Sequence, residues 1–312
     1  MKIQILMSTY NGERYLRAQL DSIANQNIPE QYLLIRDDGS TDSTIEILEE
    51  YQKKYSWIKY YAGPNVGVQK SFLDLIQKAS CQSSYFALSD QDDIWMPKKL
   101  LRAIVCLQQM EETFDKKVPL LYCGTQELVD ENLNVLHTTV SRIVRRISFG
   151  NALVQNICVG CTAVGNQSLM KLLQNFLPLE PQNIIMHDWW LYMVASCFGK
   201  VYYDPESYIK YRQHEHNTFG VKLNQRELWR YRLNELVEPR GDIYKQVILF
   251  LKTYNKLLNI SKYQNNRMLA EKLLKSETNV FSRLKLVIDF RYFRQKKSDD
   301  IIFRLIVLMG KL

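Results

Sequence analysis

The feature that most limits the fold is an alternation repeated across the first 110 residues. KIQILM (2–7), YLLIR (32–36), 58–61 and 84–88 are apolar runs of strand length. Between them, 13–26 places Leu16, Leu20 and Ile23 at helical spacing. Residues 44–55 put Ile45, Leu48 and Tyr51 on one stripe, and a further helix is expected over 68–79. Alternation of strand and helix predicts a mainly parallel sheet with helices on both faces. Such sheets bind ligands beyond the carboxyl ends of their strands. STYNG, DDGS, GPNVG and SDQDD each follow a strand, so four polar loops are expected to converge on one edge.

The pattern is less regular after residue 110. Apolar, small-residue runs cover 120–124 and 152–164. MHDWWLYMVASCFG (186–199) reads as a helix, and 200–203 and 208–211 as short strands. From about 225 onward the chain is helical, basic and aromatic. The expected organisation is an α/β domain over 1–224 followed by a helical region over 225–312, a size that suits one large domain or two small ones.

Charge separates the same two regions. Residues 225–312 hold 19 Lys+Arg and 9 Asp+Glu, whereas the formal charge of the whole chain is only +8. FSRLKLVIDFRYFRQKK (281–297) interleaves six basic residues with large apolar ones. Two readings stand: a helical subdomain packed on the rest, or an amphipathic surface lying on an anionic membrane. Nucleic acid is not an expected partner, because no recognised RNA- or DNA-binding motif is present. The opening apolar run is too short for a secretory signal, and no stretch is long enough for a membrane-spanning helix. The six cysteines are therefore expected to stay reduced in a cytoplasm. Cys158 and Cys161 read as buried small residues.

Four motifs carry chemistry, and each has a plainer reading beside it. DDGSTD is a turn with a helix cap, or a nucleotide site in which a carboxylate accepts from a base N–H or a ribose hydroxyl. There is no GxGxxG and no GxxxxGK[ST], so neither a Rossmann dinucleotide site nor a P-loop is supported. SDQDD is a helix start, which explains one acid, or a site for a hard divalent cation, which takes one or two carboxylates plus substrate phosphates. HDWW is an N-cap before aromatic core residues, or a general base beside aromatic rings on which a sugar can stack. In YRQHEHN, His214 and His216 are loop residues or metal ligands.

Taken in order, STYNG…DDGSTDST…NVG…SDQDDIW…HDWW…YRQH resembles the family 2 glycosyltransferases over about residues 1–220. SDQDDIW with HDWW and YRQHxxN is similar to bacterial rhamnosyltransferases of cell-wall or capsular polysaccharide synthesis. The resemblance implies the GT-A-type nucleotide-diphosphate-sugar-binding fold, Mg²⁺ or Mn²⁺ as cofactor, and inversion at the anomeric carbon. It implies that Thr9, Tyr10, Asp37, Asp38, Asn65, Gly67, Lys70 and Asp90 bind the nucleotide sugar. Asp92, with Asp90 and His214, would hold the metal, and Asp188 would be the base. Many relatives carry Glu-Asp where this chain has His187-Asp188, which leaves Asp188 as the sole carboxylate there. The expected enzyme moves L-rhamnose from dTDP-L-rhamnose to a lipid-linked saccharide acceptor at the inner face of the cell membrane. The rivals are a UDP-hexose-dependent glycosyltransferase, a non-catalytic nucleotide-sugar-binding protein, and a nucleotidyltransferase, which would usually carry a Gly-rich basic loop that STYNG does not supply.

Overall fold

The computed structural model describes residues 2–136, 145–215 and 241–312. They form two compact units. The first holds the amino-terminal part to residue 136, 158–177 and 199–215; the second holds 145–157, 178–198 and 241–312. The expected boundary at 224/225 falls outside the described residues. The second unit nevertheless recruits two earlier segments, among them the helix that carries Asp188.

One eight-stranded sheet organises the first unit, in the order β3-β2-β1-β4-β7-β6-β8-β5. β1 (Lys2–Thr9), β2 (Glu30–Asp37), β3 (Ile58–Ala62) and β4 (Tyr85–Ser89) are mutually parallel. β1 is the centre of this half. Ile3, Ile5, Leu6 and Met7 are fully buried, as expected of a strand covered on both faces. The connecting helices are α1 (Leu16–Ala24), α2 (Thr44–Lys54) and α3 (Val68–Lys78). Leu16, Leu20, Ile23, Leu48 and Tyr51 point into the core as their spacing predicted, whereas Ile45 is only partly buried and Ile47 is buried beside Leu48.

The far half of the sheet departs from the sequence reading. The two short strands expected over 200–211 are one strand, β8 (Lys200–Arg212), parallel to β6 (Leu120–Val129) with register shifts after Gly124 and Thr125. A bulged ladder absorbs the interruption at Asp204-Pro205 that breaks the apolar run. A two-residue strand, β5 (Ile94–Trp95), was not expected; it pairs antiparallel with β8 directly after SDQDD. The run 152–164 contributes only its end to the sheet, as β7 (Val164–Asn166), antiparallel to β4 and β6. α4 (Lys99–Phe114) and α6 (Gln167–Asn175) complete this unit.

The second unit is helical: α5 (Phe149–Ala152), α7 (His187–Phe198), α8 (Asp242–Thr253), α9 (Asn255–Leu258), α10 (Gln264–Thr278), α11 (Val280–Val287) and α12 (Lys297–Met309). Its core is aromatic. Trp190, Phe198, Phe250 and Tyr254 lie with ring centroids 5.0–6.0 Å apart in offset and edge geometries. The described part of the carboxyl-terminal region buries Leu286, Tyr292, Phe293, Phe303, Ile306 and Val307.

Candidate active site

Three strand-end loops of the first unit are tied together by their own polar groups. After β1, Asn11 adopts φ 45°, and its amide N–H donates to Ser40 Oγ at 2.9 Å. The Thr41 N–H donates back to Asn11 Oδ1 at 2.8 Å. Glu13 and Asp42 exchange a similar pair: Glu13 N–H to Asp42 Oδ2 and Ser43 N–H to Glu13 Oε2, both 3.0 Å. The STYNGE and DGSTDS turns interlock because short polar side chains satisfy each other's backbone amides.

Asp37 occupies the centre of this lattice and is buried. It accepts from Thr9 Oγ1 (3.0 Å), Ser40 Oγ (2.5 Å), Gly39 N–H (3.1 Å) and Ser40 N–H (2.9 Å). A carboxylate has about four lone-pair positions, so all of its capacity is used inside the turn. Asp38, also buried, accepts from the Arg36 guanidinium and from the Val66 and Gly67 N–H groups, each at 2.9 Å. That pins the Asn65–Gly67 loop to the end of β2. Gly39 and Gly67 both take positive φ (84° and 85°), and a Cβ on Gly39 would press on the Asn65 amide at 3.1 Å. Asn65 and Lys70 are exposed beyond this frame, and Tyr10 is half-exposed.

Gln91, which sequence reasoning passed over, joins the first loop to the acidic one. Its side-chain amide accepts from Tyr10 N–H at 2.8 Å and donates to Tyr10 C=O at 2.9 Å. Gly12 leaves room for this amide, which a Cβ at that position would push aside.

The three acids of SDQDD have different fates. Asp93 is wholly buried and accepts from the Arg212 N–H at 3.2 Å. Burial, reinforced by Asp92 and Asp90, pushes its carboxyl well above the usual range, so it stays protonated. Cys161 lies against it and is pushed up by burial as well, remaining a neutral thiol. Lys99 is buried, with Nζ 3.7 Å from the Trp95 ring centroid, and desolvation lowers its pKa to about 8. Asp92 Oδ2 instead meets His214 Nε2 at 2.9 Å. Arg212 braces the Asp92 loop: Nε donates to Asp92 C=O at 2.8 Å, Nη1 donates to Glu131 C=O, and the guanidinium lies 4.5 Å from the Tyr15 ring centroid. The His214 ring packs on the same Tyr15, 5.0 Å between centroids. Arg212 and Tyr15 were missed because neither belongs to the acidic motif; their signal is only that YRQH must reach it.

One ligand atom each from Asp90, Asp93 and Cys161 lies within 4.8 Å of the others. A protonated acid and a neutral thiol are poor donors to a hard cation, which prefers ionised oxygen. Asp92 and His214, whose polar atoms already converge, with Asp90 on the same loop, fit Mg²⁺ or Mn²⁺ better. His216, the other histidine of YRQHEHN, lies outside the described residues.

Asp188 belongs to the second unit, at the first turn of α7. It is buried, and its Oδ1 accepts from the Trp189 N–H at 2.7 Å. The Trp189 indole donates to Ala152 C=O at 2.7 Å, and Tyr192 donates to Asn151 Oδ1 at 2.8 Å, fixing α7 on α5. Burial lowers His187 to about 3, so the neighbour of Asp188 is a neutral imidazole.

A half-parallel sheet with interlocked polar loops and an acid–histidine pair at its strand ends puts these groups where open α/β sheets bind ligands. Residues 4–115 match the family described as Glycosyl transferase family 2. The chain is 30% identical over 314 residues to the dTDP-rhamnosyl transferase RfbG of Shigella flexneri, covering 97% of this chain and 99% of that one. It is 28% identical to the uncharacterized glycosyltransferase RT0329 of Rickettsia typhi over 76% of this chain and 73% of that one. In fold it is similar to S. aureus TarS 1–349 in complex with UDP-GlcNAc (TM-score 0.57, 18% identity, 99% of this chain and 91% of that one). A second fold relative is the mannosyltransferase PcManGT from Pyrobaculum calidifontis in complex with GDP-Man and Mn²⁺ (TM-score 0.52, 15% identity, 99% and 86%). The chain belongs to the family 2 glycosyltransferases and has the GT-A fold.

Proposed function

We propose that this glycosyltransferase transfers L-rhamnose from dTDP-L-rhamnose, with inversion, to a lipid-linked saccharide at an anionic membrane surface. The observation that carries the reading is the interlocked strand-end frame ending in the Asp92–His214 pair, in a chain 30% identical end to end to a dTDP-rhamnosyl transferase. Thr9 and Asp37 hold the first two loops. Tyr10, Asn65, Gly67 and Lys70 form the edge facing the nucleoside and diphosphate, and Asp38 positions that edge through the 66 and 67 amides. Asp90, Asp92 and His214 would hold Mg²⁺ or Mn²⁺, which when bound neutralises the diphosphate as it leaves. Asp188 removes the proton from the acceptor hydroxyl as it attacks the far face of the donor sugar. One displacement inverts the centre.

The test is nucleotide release from a panel holding dTDP-L-rhamnose, UDP-glucose and UDP-galactose with Mg²⁺ or Mn²⁺. Release from dTDP-L-rhamnose, lost in EDTA and in Asp92→Asn, is expected. Preference for a UDP-hexose would replace the donor, and full activity in EDTA would remove the metal. Among the described residues no helix is long and apolar enough to cross a membrane. Any membrane contact of these residues is therefore a matter of the surface.

A further inference from the structure

The second unit carries a shallow, open hollow of about 480 Å³ lined by Arg146, Lys272, Lys285, Ile288, Asp289, Phe290 and Arg291. Four basic side chains face one carboxylate. That carboxylate is engaged: Asp289 accepts from Lys272 Nζ at 2.6 Å and from Arg291 Nε and Nη2 at 2.9 and 2.7 Å. These two cations hold it well below the usual carboxylate range. Arg146 and Lys285, both exposed, make no ion pair among the described residues. Among the described residues, therefore, two basic groups of the hollow have no acidic partner and can meet an anion.

Its rim is apolar and exposed. Ile288 is 71% and Phe290 81% exposed, although the chain on either side is anchored. Leu286 and Tyr292 are fully buried, the Tyr292 hydroxyl donates to Leu269 C=O at 2.6 Å, and Gly150 lets α5 come against the Arg291 backbone. The alternation buried-286, exposed-288, exposed-290, buried-292 presents two large apolar side chains from a fixed turn. Val280, Phe281 and Leu284 extend the apolar surface along α11 at helical spacing. Large apolar side chains raised around a cationic hollow match the two layers of a bilayer surface, acyl chains and phosphate headgroups. An RNA site would need the cations but has no use for the exposed aliphatic ones.

We infer that this hollow is a binding site for the phosphate headgroup of an anionic phospholipid, with Ile288 and Phe290 entering the bilayer interface beside it. The inference rests on the membrane part of the proposed function and gives it a particular site. Co-sedimentation with vesicles of phosphatidylglycerol in phosphatidylcholine tests it. Wild-type protein should bind these vesicles at low salt and ignore pure phosphatidylcholine. Arg146→Gln and Lys285→Gln should each weaken binding roughly fivefold. Phe290→Ser should weaken it with no change of charge, whereas Lys53→Gln, on exposed α2, should leave it intact. Vesicle binding that survives the Arg146→Gln/Lys285→Gln pair, or that falls equally in Lys53→Gln, overturns the site in favour of a diffuse charge effect. Binding indifferent to Phe290→Ser overturns it in favour of a site for free phosphate, and wild-type protein that binds RNA but no vesicles overturns it outright. Nucleotide-sugar hydrolysis by the same preparations separates the two readings. Vesicle binding through this site without hydrolysis upholds the site and sinks the enzyme proposal; hydrolysis in a protein indifferent to anionic vesicles does the reverse.

Discussion

At the scale of single residues, the acidic motif is a division of labour set by burial. Three carboxylates in four positions repel one another, and the fold relieves this by keeping Asp93 protonated in the interior. Asp92 instead meets His214, and Arg212 fixes the loop beneath them. Arg212 touches no proposed ligand, so Arg212→Met is expected to act by loosening the metal-holding pair. Groups that orient metal ligands typically contribute about 10–100-fold to affinity or activity. A rise of that order in the Mn²⁺ concentration for half-maximal activity is expected, with recovery at saturating Mn²⁺. An unchanged Mn²⁺ dependence would make Arg212 a purely structural residue. For Asp188→Asn the expected loss is about 10²–10⁴ in kcat with donor affinity retained. Lost donor binding with kcat intact at saturation would make Asp188 a binding residue.

At the scale of elements, α7 shows how a local sequence is bent to its packing. Its His187 would titrate near 6.5 in the unfolded chain but only near 3 when folded. Below about 6.5 the unfolded state binds the extra proton and the native state does not, so acid favours unfolding across that window. Between pH 7 and pH 5 this contributes a loss of about 2 kcal/mol. Urea unfolding at the two pH values should therefore show a steeper loss in wild type than in His187→Phe. Equal slopes would mean that His187 gains a proton while folded. The strand elements show a related lesson. β1 to β4 were legible because strands covered on both faces must be apolar throughout. β8 was read as two pieces because Asp204 and Pro205 interrupt it, yet Asp204 is fully buried and paired with Arg102 at 2.7 Å and with the Tyr122 hydroxyl at 3.0 Å. A buried acid looks like a turn residue until its partners are known.

At the scale of the whole molecule, the described part of the basic carboxyl-terminal quarter is packed against segments from the middle of the chain. Arg145 bonds Asp300 at 3.1 Å, and Asn151 donates to Phe293 C=O at 2.8 Å, so the end of the chain braces residues near 150. Deleting residues 280–312 is therefore expected to unfold the second unit, because it uncovers the apolar side chains packed against Leu286, Tyr292, Phe293, Phe303, Ile306 and Val307. Limited proteolysis should cut the truncated chain rapidly within 241–279. A protease-resistant truncated protein would make the tail a dispensable appendage. The sequence by itself determined the parallel half of the sheet, the strand-end loops and the acidic motif, since period, turn chemistry and charge are local properties of the chain. Only the tertiary structure decided which acid is buried, that Gln91, Arg212 and Tyr15 bind the loops together, and that residues 145–157 and 178–198 join the carboxyl-terminal helices. Those outcomes depend on which distant residues meet, and burial and pairing are properties of neighbours that sequence spacing does not carry.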